Sequence, residues 1–157
     1  MNEFLNELAS GLPDTSQLAR VGVRLIAAAL LGAVVGIQRE RAGRAAGLRT
    51  HTLVSLGSAL FVITGAEYGM TPSDLSRVIQ GLAAGIGFIG GGAILKLTEE
   101  REITGLTTAA SIWMTAAVGV AAGLGRWGSA MLGAILTLIV LSALVRLQSH
   151  DEGKQSS

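Results

Sequence analysis

No cysteine occurs in this 157-residue chain, which excludes disulfides, thiolate metal sites and cysteine nucleophiles and leaves no clue to the redox compartment. Histidine is nearly as scarce, and two residues without clustered acids around them do not make a zinc site. Aromatic residues contribute only 4% and the net charge is +1. The arginines flank apolar runs and form no basic patch interleaved with aromatics, so the signature of a nucleic-acid binder is missing. Glu3, Glu7 and Asp14 precede any basic residue, the reverse of a signal peptide's positive start, and no cleavage is expected.

What the chain has in quantity is apolar sequence: 50% of residues are hydrophobic, the mean hydropathy is +0.55, and the apolar residues are gathered into long runs. That is the composition of a membrane protein. Residues 21–37, 51–68, 78–95, 103–124 and 127–147 approach or reach the ~20 residues that cross a bilayer. They predict an all-α polytopic membrane protein with five transmembrane helices and tight, glycine-rich packing. Three divisions follow. Residues 1–19 form an N-terminal segment in which Phe4, Leu5 and Leu8 share one helical face before Pro13, to be read as an interfacial helix or as a frayed tail. Residues 20–147 form the membrane domain, and 148–157 a polar, disordered cytoplasmic tail. Arg24, near the start of the first run, is expected to snorkel to the interface.

Orientation follows from the lysines and arginines of the short connections. Arg39, Arg41, Arg44, Arg49, Lys96, Arg101, Arg146 and Lys154 put eight on one side, while Arg20, Arg24, Arg77 and Arg126 put four on the other. The N-terminus is therefore expected outside and the C-terminus in the cytoplasm. No internal repeat of the inverted-transporter kind is evident.

Polar residues near the runs supply the candidate site. Gly32, Gly36 and Glu40 recur at steps of four, so small residues lead up one helix face to a carboxylate, which either meets a close neighbour there or pairs with Arg44 in water. The arginine-rich connection that follows, with Arg39 and Arg49 as its candidates, serves as a topology signal or recognises anionic lipid headgroups or a partner's carboxylates. His51, Ser55 and Ser58 continue down one face of the second helix, where each serine hydroxyl can be satisfied by its own backbone and reads as structural. In the third run Asp74 and Arg77, three apart, are expected to pair above the glycine groove of Gly81 and Gly85, with Gln80 beside them; Asp74, Ser73 and Thr71 are rival helix caps. Gly87 and Gly90 extend the glycine-rich surface, and GIGFIG is not a dinucleotide fingerprint because no strand precedes it. In the fourth run Thr104, Thr108, Ser111, Thr115 and Gly119 form a stripe, with Thr107 adjacent, that either lines a polar path or bonds to facing helices. Trp113 is expected to pack inside, Trp127 to anchor at the interface, and the fifth helix to face lipid.

Three blocks in order, GAVVGIQRERAGRAAGLRTHTLVSLGSALF, DLSRVIQGLAAGIGFIGGGAIL and GLTTAASIWMTAAVGVAAGLG, resemble the membrane domain of the MgtC/SapB family over residues 25–125. The resemblance implies a bacterial inner-membrane protein linked to growth under magnesium limitation, to virulence and, in some members, to acid tolerance. The matching signature positions are Arg39, Glu40, Gly47, Leu48, Arg49 and Thr50, then Ser76, Arg77, Gly85, Gly87, Phe88 and Gly90, then Gly105, Thr107, Thr108, Ala109 and Trp113. Gly91 departs from the alanine usual in the family. Longer members continue into a cytoplasmic ACT-like domain, whereas this sequence stops soon after the fifth run, so ligand sensing by that domain is expected to be absent or supplied by another protein.

Two functions remain. A transporter or channel for Mg²⁺ would use carboxylates with retained waters, and Glu40 and Asp74 are the candidate metal ligands, although the expected topology places them a hydrocarbon thickness of ~30 Å apart. Glu99, Glu100 and Glu102 read as a solvated turn. A protein that modulates a membrane partner, or assembles as a homo-oligomer through its glycine faces, fits the sequence better. Catalysis lacks a nucleophile–base pair, and no cofactor is expected besides Mg²⁺ as a candidate ligand.

Overall fold

The computed structural model describes residues 1, 14–94 and 104–155, with side chains up to residue 143. The anticipated interfacial helix near the N-terminus and the acidic stretch around Glu99, Glu100 and Glu102 lie outside the described residues. Five helices follow in order: α1 (Thr15–Arg41), α2 (Leu48–Glu67), α3 (Pro72–Ile94), α4 (Leu106–Gly123) and α5 (Trp127–Gln155). Helices α1, α3 and α4 are long and apolar enough to cross a membrane, and α5 contributes a shorter apolar stretch, Trp127–Ala143.

Hydropathy marks the part of a helix that suits hydrocarbon, not its ends. Thus α1 starts at Thr15, before the apolar run, and α5 continues to Gln155, past the expected limit near 147. No proline interrupts either extension. The ends that do occur have local causes. Thr71 caps α3: its hydroxyl accepts from the Asp74 N–H at 3.2 Å and donates to the Asp74 carboxylate at 2.6 Å, with Pro72 at the first helical position. Gly43, Gly69 and Gly125 end α1, α2 and α4 with positive φ, and each is followed by a backbone bond reaching back five residues, such as Arg44 N–H to Arg39 O at 3.1 Å. These are Schellman endings. Despite its glycines, α3 is continuous.

Helix α4 touches all four other helices and forms the centre of the bundle. Helix α2 is pressed between α1 and α4 by two glycine pairs. A Cβ on Gly32 would lie 2.7 Å from the His51 carbonyl oxygen and from Ser55 Cβ, and one on Gly36 would lie 2.7 Å from Leu48 Cα. From the other side, Gly119 meets the backbone of Ser55, and a Cβ on Gly123 would lie 2.8 Å from Ala59 Cα. Residue numbers run oppositely along α1 and α2 and in the same sense along α2 and α4. Pressed along its length between two spanning helices, α2 spans too. The dry seam is small-residue and aliphatic: Ala28, Ala59, Ile63, Ala122 and Ala130 are buried together.

Helix α3 stands to one side, packed on α4 and only lightly on α2. Gly90 seats against Ala109, but Gly81, Gly85, Gly87 and Gly91 have nothing within 4 Å of a built Cβ. Among Gly81, Gly85, Gly87, Gly90 and Gly91 the expected packing is therefore found at Gly90 alone, because α3 turns Leu75, Ile79, Leu82 and Ile86, and not its other glycines, toward the bundle. Trp113, expected inside, is half-exposed beside α3 and lines a small apolar pocket with Ile79 and Leu82. On α5 Ala130, Ala134 and Thr137 face inward while Met131, Leu132, Ile135 and Ile139 face the bilayer side.

The contrast between the used and unused glycines is measurable. Gly119→Ala should lower thermal stability in detergent by about 1–3 kcal/mol, the usual cost of overpacking. Gly81→Ala should leave it within about 0.5 kcal/mol or raise it. Equal losses would contradict the packing.

Candidate functional site

The polar residues of the bundle collect at the end where α1 leaves and α2 begins. Arg39, in the last turn of α1, is 2% exposed, and its Nη2 donates to Thr108 Oγ1 at 3.1 Å in the first turn of α4. Its Nε has no partner among the described residues. Next to it His51 is fully buried. Nδ1 of His51 lies 3.0 Å from the Gly47 carbonyl, which can only accept, so the ring proton is assigned to Nδ1. Nε2 lies 3.2 Å from Ser111 Oγ, and Ser111 also donates to Thr108 O at 2.8 Å, so one hydroxyl proton faces two acceptors. Thr115 donates to Ser111 O at 2.8 Å.

The members of the hydroxyl stripe divide by partner. Thr108 and Ser111 bond to facing helices, Thr115 bonds to its own, and all three are buried. Thr104 and Thr107 are exposed and stand apart from the cluster. The contact of His51 with Ser111, sixty residues away, has no counterpart in the sequence reading. The pair has the make-up of a base and a hydroxyl nucleophile, but His51 is oriented by a backbone carbonyl and both side chains are sealed from substrate.

Glu40 meets the start of α2 at close range. Its Oε2 accepts from the Leu48 N–H at 2.8 Å and so caps α2 from the end of α1. A Cβ at Gly47 would stand 2.7 Å from that oxygen, which explains a glycine there. The carboxylate is exposed, as are Arg49, Arg77 and Gln80. Asp74 is held by Thr71 and not by Arg77, so the predicted pair gives way to a capping interaction. Arg24 reaches the end of α4: its Nη1 donates to Gly123 O at 3.1 Å, satisfying a carbonyl at the C-terminal end of that helix. Glu40 and Asp74 therefore sit at opposite ends of α2, whose 20 residues span ~30 Å. Among the described residues no three His, Asp or Glu side chains converge as metal ligands would.

A profile of the MgtC family matches residues 25–150, which takes in every helix of the bundle. The chain belongs to the MgtC family. It is similar to Protein SrpB of Synechococcus elongatus, 47% identical over 80% of this chain and 75% of that protein. It is 41% identical to YhiD of Escherichia coli K12 over 80% of this chain and 60% of that one. It is 38% identical to Protein MgtC of Salmonella typhimurium over 80% of this chain and 52% of that one. The chain thus spans little more than half the length of some relatives it matches. No solved structure matches it significantly.

Within this MgtC-family chain the first and third signature blocks converge at one bond, Arg39 meeting Thr108 across α1 and α4, while within the first block Glu40 meets Gly47 and Leu48 across α1 and α2. The second block, on α3, holds Arg77 and Gly85 outside that cluster. The link between Glu40 and Gly47 is testable by a double-mutant cycle. Gly47→Ala should destabilise the protein, and the loss should shrink by about 0.5 kcal/mol or more in a Glu40→Ala background. The same loss in both backgrounds would place the strain elsewhere.

Proposed function

We propose that this chain serves magnesium homeostasis, or adaptation to low magnesium, from the bacterial inner membrane by modulating membrane partners or assembling with copies of itself. Catalysis is not part of this reading. The observation that carries it is the chemistry of the buried polar set. Arg39, His51, Ser55, Ser58, Thr108, Ser111, Thr115 and Thr137 include no carboxylate. Mg²⁺ dehydrates reluctantly and is held through carboxylates with several waters retained. A buried guanidinium beside the cluster repels a divalent cation, and the two candidate carboxylates cap separate helix ends.

The alternative is transport of Mg²⁺ or another small solute through an oligomer. It is favoured by the printed name of one relative, "Putative magnesium transporter YhiD". The hydroxyls of Thr108, Ser111 and Thr115 would have to leave their present partners to line such a path.

Mg²⁺ flux into proteoliposomes, followed with an internal dye, separates the two. Folded protein should give no uptake above empty vesicles; saturable uptake lost in Arg39→Ala would establish transport instead. The charge asymmetry further supports an N-out, C-in orientation. A periplasm-active reporter fused to the C-terminus should give no signal, and a strong signal would invert the assignment.

A further inference from the structure

Because α3 is carried on α4 and leans away from α2, a groove of about 720 Å³ opens between the two consecutive helices α2 and α3. That volume is within the usual range for small-molecule sites, about 300–1,000 Å³. One wall is Leu53, Gly57 and Phe61, the other Val78, Gly85 and Ile89. Gly57, Gly81 and Gly85 leave open space where side chains would otherwise fill it. The Ser58 hydroxyl on the lining is spent on Val54 O at 2.7 Å. Arg77 is the one charged side chain of the lining, is exposed, and stands at the end of the groove nearest the start of α3. Its sequence neighbour Asp74 is occupied by Thr71.

We propose that this groove holds one acyl chain of an anionic phospholipid whose phosphate is bound by Arg77. Three features select that occupant. The walls belong to membrane-spanning helices, so hydrocarbon is the medium that reaches them. From Arg77 to Ile89, at ~1.5 Å per residue, the groove runs about 18 Å, close to the ~15 Å depth of one leaflet. Arg77 lies in the second turn of α3, within snorkelling reach of the phosphate level, and a guanidinium matches a phosphate's paired oxygens. A dry groove with a single cation at its membrane-surface end is complementary to a lipid with a negative head and an apolar tail. The inference stands apart from the magnesium-linked reading and can fail without it.

The test uses the whole protein, reconstituted in nanodiscs of equal phosphatidylglycerol and phosphatidylcholine, with co-purifying lipid counted by native mass spectrometry after transfer to detergent. Wild type should retain phosphatidylglycerol over phosphatidylcholine by about fivefold, the effect of one basic residue near the membrane surface. Arg77→Gln should bring that ratio close to one while keeping the bound chain; Arg41→Gln, remote from the groove, should not. Gly85→Leu should remove the bound lipid with no loss of thermal stability, since its Cβ enters open space. An unchanged ratio in Arg77→Gln, or unchanged lipid in Gly85→Leu, would overturn the proposal. So would a lipid-free wild-type dimer that Gly85→Leu converts to monomer, which would make a second copy the occupant.

Discussion

The bundle rests on one steric condition: the backbone of α2 must lie against the backbones of α1 and α4 at the same level. Ser55 is where this is tightest, with Gly32 on one side and Gly119 on the other. In a bilayer, apolar surface gains nothing by leaving lipid for protein, so close van der Waals contact and interhelical hydrogen bonds supply the association energy. Four glycines shorten those distances enough for Arg39 and His51 to reach α4. Were the helices farther apart, Thr108 and Ser111 would turn to their own carbonyls and a guanidinium would be buried without a partner, a far costlier state.

The polar cluster is thus a product of the packing and also its lock. Each member joins two helices: Arg39 ties α1 to α4, His51 ties α2 to α4, and Glu40 ties the end of α1 to the start of α2. These bonds have direction and are short, so they specify register where alanine and glycine surfaces alone would slide. Helix α3 takes no part in this lock. Its contact with the bundle is apolar and runs along one face, through Ile79, Leu82 and Ile86 to Gly90, which leaves the face of Gly81 and Gly85 beside a groove.

Much of this was legible in the sequence. Five helices, the membrane setting and the family follow from long apolar runs and three spaced motifs, signals that survive ignorance of contacts. Spacing also put Gly32 and Gly36 on one close-contact face, but gave Gly81/Gly85 the same weight, since periodicity says that a small face exists and not whether a neighbour occupies it. The ion pair expected of Asp74 and Arg77 lost to Thr71 because a cap three residues away competes for the same carboxylate with better geometry. His51 was underrated for a different reason: its partner Ser111 is distant in the chain, and one sequence holds no record of such a pairing. The reach of Arg24 is readable from the general behaviour of long cations, but its acceptor, Gly123 O at the end of α4, is not.

Arg24 and Arg39 also set a condition on how the protein is made. Both belong to α1, while their partners, Gly123 O and Thr108 Oγ1, lie 99 and 69 residues later. At about 5–20 residues per second, the wait for Gly123 is roughly 5–20 s. Until α4 emerges, α1 carries two cations with no protein acceptor, so it must linger near headgroups or in the wet channel of the insertion machinery. Helix α4 then recruits α1 from that shallow position, and final burial of α1 becomes a late event in biogenesis.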